Sequence, residues 1–537
     1  MGFVALPLAM AFAIASGLTP EAGLFTSIIA GLVVSLLGGT HVQIAGPAGA
    51  FIVVVYSVVE RFGVSGLLLT GFLSGVMLLA FGFMRLGLLI RFIPVAVVGA
   101  FTNGIAVLIM VSQLKDFLGL EVAHMPANFL GILNALWANA SSMNPEAFAL
   151  SLMCVVAWIV WARWAPQLAV RLPKLSGLFN MPSAIFVLLV GTWAAQLLGW
   201  QMATIGSRFG GIPEHLPTWQ GFEWSWSQIQ AVFPSALTFA ILGAIESLLC
   251  ARVADQLTHD HHDANQELIA QGLANMLTPF LGGMPATGTI ARTVTNIKSG
   301  AGSAVAGVVH SLTLVIIVLL GATLAKQVPL ACFAAILMMV GWNMGEWSAF
   351  ASLGQFRMPY RVTFLAVFAL TVFVDLSTAV QVGLGLAMLT FIYRISELTR
   401  IHEVSKEEIH HLIGQRAPTD WPTSQHSTSP PIQCLRLVGA LFFGAVELLE
   451  VLQKSLAGGT LILDFEGVLY MDSTGLDALM ELQRACQVQG TRLIVCAMTH
   501  QPRDILLRLG PKYHASQIDK LEQQDTLKNA LASSGWR

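Results

Sequence analysis

Two charged side chains stand where the sequence offers them little water. Arg292 lies in Gly282-Gly-Met-Pro-Ala-Thr-Gly-Thr-Ile-Ala-Arg-Thr-Val-Thr-Asn-Ile297, and Glu246 in Phe233-Pro-Ser-Ala-Leu-Thr-Phe-Ala-Ile-Leu-Gly-Ala-Ile-Glu-Ser-Leu-Leu-Cys250. An arginine at membrane depth costs at least roughly 2.5 kcal/mol unless it reaches water or a partner, so its presence asks for a function. One reading sends Arg292 to an anion; the competing one has it snorkel to the cytoplasmic face. A mid-span carboxylate such as Glu246 is by default a functional group, able to carry a proton or hold a cation. Ser247 is adjacent to it and Cys250 one turn on. The competing reading makes Glu246 a neutralising partner of Arg292.

Both charges need a backbone that is itself unusual. Thr40-His-Val-Gln-Ile-Ala-Gly-Pro-Ala-Gly-Ala-Phe51 starts extended at Val42–Ile44, meets Gly46-Pro47, and then runs apolar to Val59. Proline suits a first helical turn, so the spacing predicts a short strand leading into a half-helix that begins inside the membrane. The segment from Gly282 repeats that grammar with Gly-Gly, Pro285 and a run of small residues opening a second half-helix. Non-helical backbone at that depth is tolerated only where it is buried in protein or lines a cavity. Two such interrupted segments point to a transporter site, and two facing helix N-termini suit an anion. The plainer alternative is that glycine and proline merely kink two packed helices.

The elements around these segments are membrane spans. Of 537 residues only 11% are charged, about half the share of a soluble domain. Thirty-one charges fall in residues 1–400 and 27 in the last 137, so a seam is expected near residue 400. Before it, apolar runs recur at Val64–Phe83, Ile93–Val111, Phe148–Val160, Ser183–Trp200, Phe233–Leu249, Ala304–Leu320, Leu330–Trp342, Thr363–Val374 and Val380–Ile392. With the broken and shorter segments they predict twelve to fourteen spans. If the tail is cytoplasmic, Arg85, Arg91, Arg163, Arg171, Lys174, Arg252, Lys298, Arg357, Arg361, Arg394 and Arg400 fall inside, and only Arg61, Lys115, Arg208 and Lys326 outside. Gln201–Gln230, rich in aromatics, reads as an outer interfacial loop. No cleavable signal peptide is expected, because Met1 runs directly into apolar residues, and the start reads as truncated within a first span.

Other chemistry is disfavoured. The net charge of −2 gives no case for a nucleic-acid partner. The six cysteines lack metal-ligand spacing and read as reduced and structural. His259-Asp-His-His-Asp263 reads as a polar loop in preference to a metal site, and Asp375 as a cap on a hairpin. Residues 401–431 read as a linker. Beyond it, strands at Ile432–Val438, Thr460–Phe465 and Arg492–Cys496 alternate with helices at Gly444–Lys454, Gly475–Gln489 and Gln501–Leu509, a small α/β domain over 432–537. At Met471-Asp-Ser-Thr-Gly475, Ser473 or Thr474 is expected to cap a helix, and Ser473 is a candidate phosphorylation site.

In combination these residues resemble the sulfate permease (SulP) family of anion transporters over essentially the whole chain. The resemblance rests on Pro20-Glu-Ala-Gly-Leu-Phe25, Gly38-Gly with Ala45-Gly-Pro47, Gly243-Ala-Ile-Glu-Ser247, Asn265-Gln-Glu-Leu with Gln271-Gly-Leu-Ala-Asn275, and Gly282-Gly with Ala291-Arg292. The tail resembles the family's STAS domain through Leu461–Phe465 and Asp472-Ser-Thr-Gly475. The resemblance implies an α-helical membrane protein of two inverted seven-segment repeats, split into core and gate domains, followed by a small cytoplasmic α/β STAS domain. It implies a homodimer in the cytoplasmic membrane, an elevator-like motion, a possible cytoplasmic protein partner for the STAS domain, no enzymatic activity and no cofactor. Its anion site maps to Gly46, Pro47 and Ala48 and to Thr289, Ile290, Ala291 and Arg292, with Glu246 as the coupling position beside Ser247 and Cys250. Ala48 lacks the hydroxyl many relatives carry there, and Leu8 replaces a glutamine common in sulfate carriers. Glu246, where bicarbonate symporters favour aspartate, tilts the coupled cation toward H+ over Na+. The expected function is cation-coupled uptake of a small anion, sulfate first, with bicarbonate or a C4-dicarboxylate as alternatives. An uncoupled channel-like pathway and a STAS-based regulatory scaffold are the competing classes.

Overall fold

A computed structural model of the protein describes residues 1–87, 95–122, 125–126, 128–171, 179, 181–211, 216–219, 221, 225–413, 432–456, 458–509 and 521–534. Arg91, Lys174 and most of the expected linker lie outside the described residues. Two compact units, Met1–Ala387 and Met388–Arg537, make up the chain.

The first unit is helical apart from a two-stranded ladder. Its elements are α1 (Gly2–Ala15), α2 (Pro20–Leu37), β1 (Ala45–Gly46), α3 (Ile52–Phe83), α4 (Val95–Leu118), α5 (Phe129–Ala138), α6 (Pro145–Arg171), α7 (Ser183–Leu197), α8 (Ile205–Phe209) and α9 (Trp226–Thr258). They continue with α10 (Ala264–Leu277), β2 (Thr287–Gly288), α11 (Ile290–Lys298), α12 (Val305–Ala325), α13 (Leu330–Met344), α14 (Ser348–Ser352), α15 (Met358–Phe373) and α16 (Leu376–Leu398), the last of which runs into the second unit. Among the described residues seven helices are long and apolar enough to cross a membrane, and five shorter ones are apolar. Positive φ at Gly63 divides α3, so that the half-helix from Ile52 and the span from Val64 are separate segments.

These helices sort into two packed groups. In one, α3 lies against α9 and α10, and α2 against α1, β1, α10 and α12; in the other, α4 lies against α13 and α15, and α6 against α7 and α13. Small residues let α3 and α10 approach. A Cβ on Gly75 would sit 2.7 Å from the Gly272 carbonyl oxygen, and one on Gly272 2.8 Å from that of Gly75. Phe51, Phe101, Phe239, Phe333 and Phe364 are buried in a shared apolar core. Outside it, Leu152, Val156 and Val160 recur every fourth residue of α6 and are about half exposed, an apolar face suited to lipid.

The second unit is a five-stranded sheet in the order β3 (Arg400–Glu403), β4 (Ile432–Leu441), β5 (Gly459–Met471), β6 (Thr491–Cys496), β7 (Glu522–Gln524). Only β3 runs antiparallel to its neighbour. Alternation along β5 fills two faces: Leu461, Leu463 and Phe465 join one apolar cluster, Ile462 the other. The first cluster takes in α18 (Glu447–Lys454), α19 (Ser473–Val488) and α20 (His500–Leu509); the second takes in α17 (Lys406–Ile413) and α21 (Leu527–Ser533). The stretch expected as linker therefore begins with folded chain. Arg436 explains why: it pairs with buried Asp464 at 2.6 Å and with Glu408 of α17, tying that polar helix to the sheet. Burial pushes the Cys434 thiol up to about 12 and that of Cys486 to about 11, leaving both as unreactive packing groups.

Candidate functional site

The two interrupted segments meet. Ala45 pairs with Gly288 and Gly46 with Thr287 in an antiparallel ladder between β1 and β2. Side chains extend it: the Ile44 amide donates to Thr293 Oγ1 at 3.1 Å, and Asn296 Nδ2 donates to the Val42 carbonyl at 2.9 Å. Beyond each strand the chain turns into a helix. Ala48, extended, precedes a 3-10 turn at Gly49–Phe51 that feeds α3, and Thr289, extended, precedes α11. Neither start carries a side-chain cap, so first-turn N–H groups are left for another acceptor. Pro47 and Ala48 are buried, whereas Ile290 and Ala291 are exposed beside this opening.

Arg292 joins the two halves. Its side chain is 2% exposed, with Nη1 donating to Ser27 Oγ at 3.1 Å and Nη2 to the Pro47 carbonyl at 3.3 Å. It does not snorkel, because α11 is short and the guanidinium finds acceptors across the ladder. Glycine at 46 makes room: a Cβ there would lie 2.0 Å from Nη1. Arg292 forms no ion pair with Glu246 among the described residues, which removes the neutralising-partner reading.

Glu246, Ser247 and Cys250 share α9. Glu246 is half-buried, and its Oε2 is enclosed with no hydrogen-bond partner among the described residues. Cys250 Sγ donates to Thr293 Oγ1 at 3.1 Å, fastening α9 to the first turn of α11. Ser247 instead enters a network that sequence reasoning left without a role. Fully buried Glu267 of α10 accepts at Oε1 from Gln43 Nε2 (2.9 Å), Ser247 Oγ (2.9 Å) and Gln271 Nε2 (3.0 Å). Gln43 also donates to Ser247 at 2.9 Å. A Glu–Gln pair at i, i+4 within α10 was the available signal. Asn275 clamps the other end, exchanging hydrogen bonds of 2.8 Å with both backbone groups of Ala286.

Elsewhere the sequence candidates fall in structural positions. Asp375 caps α16 through the amide and hydroxyl of Thr378. In the histidine run, Asp263 caps α10 and His262 pairs with Asp255 at 2.6 Å. In the tail the cap on α19 is Asp472, whose Oδ1 accepts from the Gly475 amide at 2.8 Å, and not Ser473 or Thr474. The carboxylate stands one residue earlier and is the stronger acceptor, which leaves the Ser473 hydroxyl exposed at the first helical position.

A membrane body in which two broken helices open from a shared ladder is the architecture of an inverted-repeat secondary carrier. The chain belongs to the sulfate permease family: residues 1–367 match that family and residues 425–514 the STAS domain. It is 39% identical over 516 residues to the putative sulfate transporter YvdB of Bacillus subtilis, covering 95% of this chain and 92% of that one. It is 32% identical to the bicarbonate transporter BicA of Picosynechococcus over 74% of this chain and 69% of that one. Among solved structures, the transmembrane domain of a cyanobacterial BicA superposes with a TM-score of 0.61 at 29% identity, covering 72% of this chain and 94% of that one. SLC26A9 superposes at 0.82 with 18% identity over 99% of this chain and 88% of that one, a likeness of fold. The protein is thus a membrane transporter of an anion-carrying family and not an enzyme.

Proposed function

We propose that the protein is a secondary active transporter that takes a small anion, sulfate first, across the cytoplasmic membrane together with a proton. The anion would sit between the uncapped starts of the two half-helices, at Gly46–Ala48 and Thr289–Arg292, with the Arg292 charge behind them. The observation that carries this reading is the ladder itself, which holds both helix starts and a buried arginine together. Similarity to a putative sulfate transporter along nearly the full length supports sulfate over other anions.

Coupling falls to Glu246. An anion entering alone is opposed by about 2.3 kcal/mol per charge at 100 mV of inside-negative potential, so accumulation needs a cation. A carboxylate oxygen that is enclosed and without a hydrogen-bond partner among the described residues, beside the α9–α11 contact, supports that role. Glu246→Gln, which mimics the protonated acid, should abolish pH-gradient-driven accumulation in proteoliposomes while sparing anion exchange. A mutant that still accumulates sulfate like the wild type would remove Glu246 from coupling. Bicarbonate is the second substrate reading, supported by the relatives named for that anion. In this account the STAS domain is cytoplasmic and the protein a homodimer, as the charge distribution and the family resemblance suggest.

A further inference from the structure

A second cluster of charge lies away from the ladder, where the end of α4 meets α8. Lys115 is 8% exposed, and its Nζ donates to the Val122 carbonyl at 2.7 Å. No carboxylate lies within ion-pair distance of it among the described residues. The neighbouring Asp116 is engaged by Arg208 at 3.1 Å. An ammonium group has three protons to donate, and one of Lys115's is committed among the described residues, to Val122. Burying a cation without a counter-charge is costly, and a ligand that supplies the charge repays it.

Lys115, Asp116 and Arg208 together border two adjoining cavities of about 570 and 480 Å3. The larger one ends against Ile52 and Val53, the opening residues of α3, one turn beyond the Gly46-Pro47 turn. It therefore reaches the wall of the half-helix that frames the candidate site. Glu60 stands exposed at its border, and Glu121 stands exposed at the border of the smaller cavity. Lys115 and Arg208 are also two of the four basic residues that the charge distribution assigns to the outer side.

We propose that this cavity is an antechamber binding a small oxyanion on its way to the half-helices, with Lys115 its principal cationic contact and Arg208 the second. The proposal rests on the transport reading above for its purpose, but its binding chemistry can be measured without transport. All six native cysteines are buried, so Ser112→Cys, which lines the same cavity, gives a local thiol in the purified full-length protein. Its rates of reaction with an anionic and a cationic methanethiosulfonate report the local potential. The anionic reagent should be favoured by about tenfold over the ratio for a free thiol, because the Lys115 ammonium, paired with no carboxylate among the described residues, makes the cavity interior locally positive while Glu60 stands exposed at its border. Sulfate should slow that reaction more than gluconate at equal ionic strength, which removes plain screening as the cause. Lys115→Gln should abolish both the preference and the protection, Lys115→Arg should retain them, and Arg208→Gln should weaken them. An unchanged ratio in Lys115→Gln, or no sulfate protection in the parent, would overturn the antechamber and leave Lys115 as a tether for Val122. If Lys115→Gln does not fold, an unchanged ratio in Arg208→Gln has the same force. Failure of sulfate uptake in liposomes would instead count against the transport reading, with the labelling result standing by itself.

Discussion

Arg292 carries the greatest weight at the residue scale because it stands on the second interrupted segment while its hydrogen bonds end on Pro47 of the first and on Ser27 of α2. Arg292→Ala should weaken anion binding by roughly 10- to 100-fold, the loss expected for one charge-assisted hydrogen bond, with folding retained. Equilibrium binding of labelled sulfate to purified protein checks this, and an unchanged affinity would assign the anion to the helix ends alone. Gly46→Ala tests the same geometry from the other side. Its methyl would occupy the place of Nη1, so sulfate affinity should fall by about as much as in Arg292→Ala although no charge is removed. Both residues were legible in the sequence, one as a charge among apolar neighbours and the other as part of Gly-Pro. Glu267 was not, because a Glu–Gln pair four residues apart reads equally well as an exposed polar stripe. Only the packing of α10 against α2 and α3 and the hydrogen bonds from Gln43 and Ser247 show it to be fully buried.

Elements were legible where their boundaries are written in local chemistry. Pro47, whose missing amide needs no partner, marked the first half-helix, and the small residues Ala286–Thr289 marked the approach to the second. The pairing of β1 with β2 was invisible: two residues per strand carry no periodicity, and the contact spans more than two hundred positions. The start of α9 at Trp226 was also missed, although Ser225 and Gln228 form a capping box, because the aromatic stretch around it reads as a loop. In the tail, β3 and α17 read as linker from the sequence, since their residues are polar and their place in the fold depends on Arg436. This has a measurable consequence. A fragment starting at residue 399 should unfold at a higher temperature than one starting at 432, because it keeps the β3–β4 pairing and the Glu408–Arg436 contact. Circular dichroism melts of the two fragments decide it; equal midpoints would show that β3 and α17 add nothing to the domain.

Across the whole molecule, the charge asymmetry on either side of residue 400 foreshadows the division into a lipid-suited helical body and an α/β unit, with the compact units parting at Ala387 and Met388. Inside the body the helices divide again into the group that carries the ladder and the group built on α4, α6 and α13. A site on one packed group beside a second group is the arrangement in which one group can move past the other around a bound ion. The most direct measurement is uptake of labelled sulfate, bicarbonate and a dicarboxylate by the purified protein in proteoliposomes, with and without imposed proton or sodium gradients. Sulfate should accumulate above equilibrium when the proton gradient is directed inward, and the accumulation should collapse when that gradient is dissipated. Accumulation of bicarbonate alone under a sodium gradient, or equilibration of every anion without regard to either gradient, would contradict proton-coupled sulfate transport.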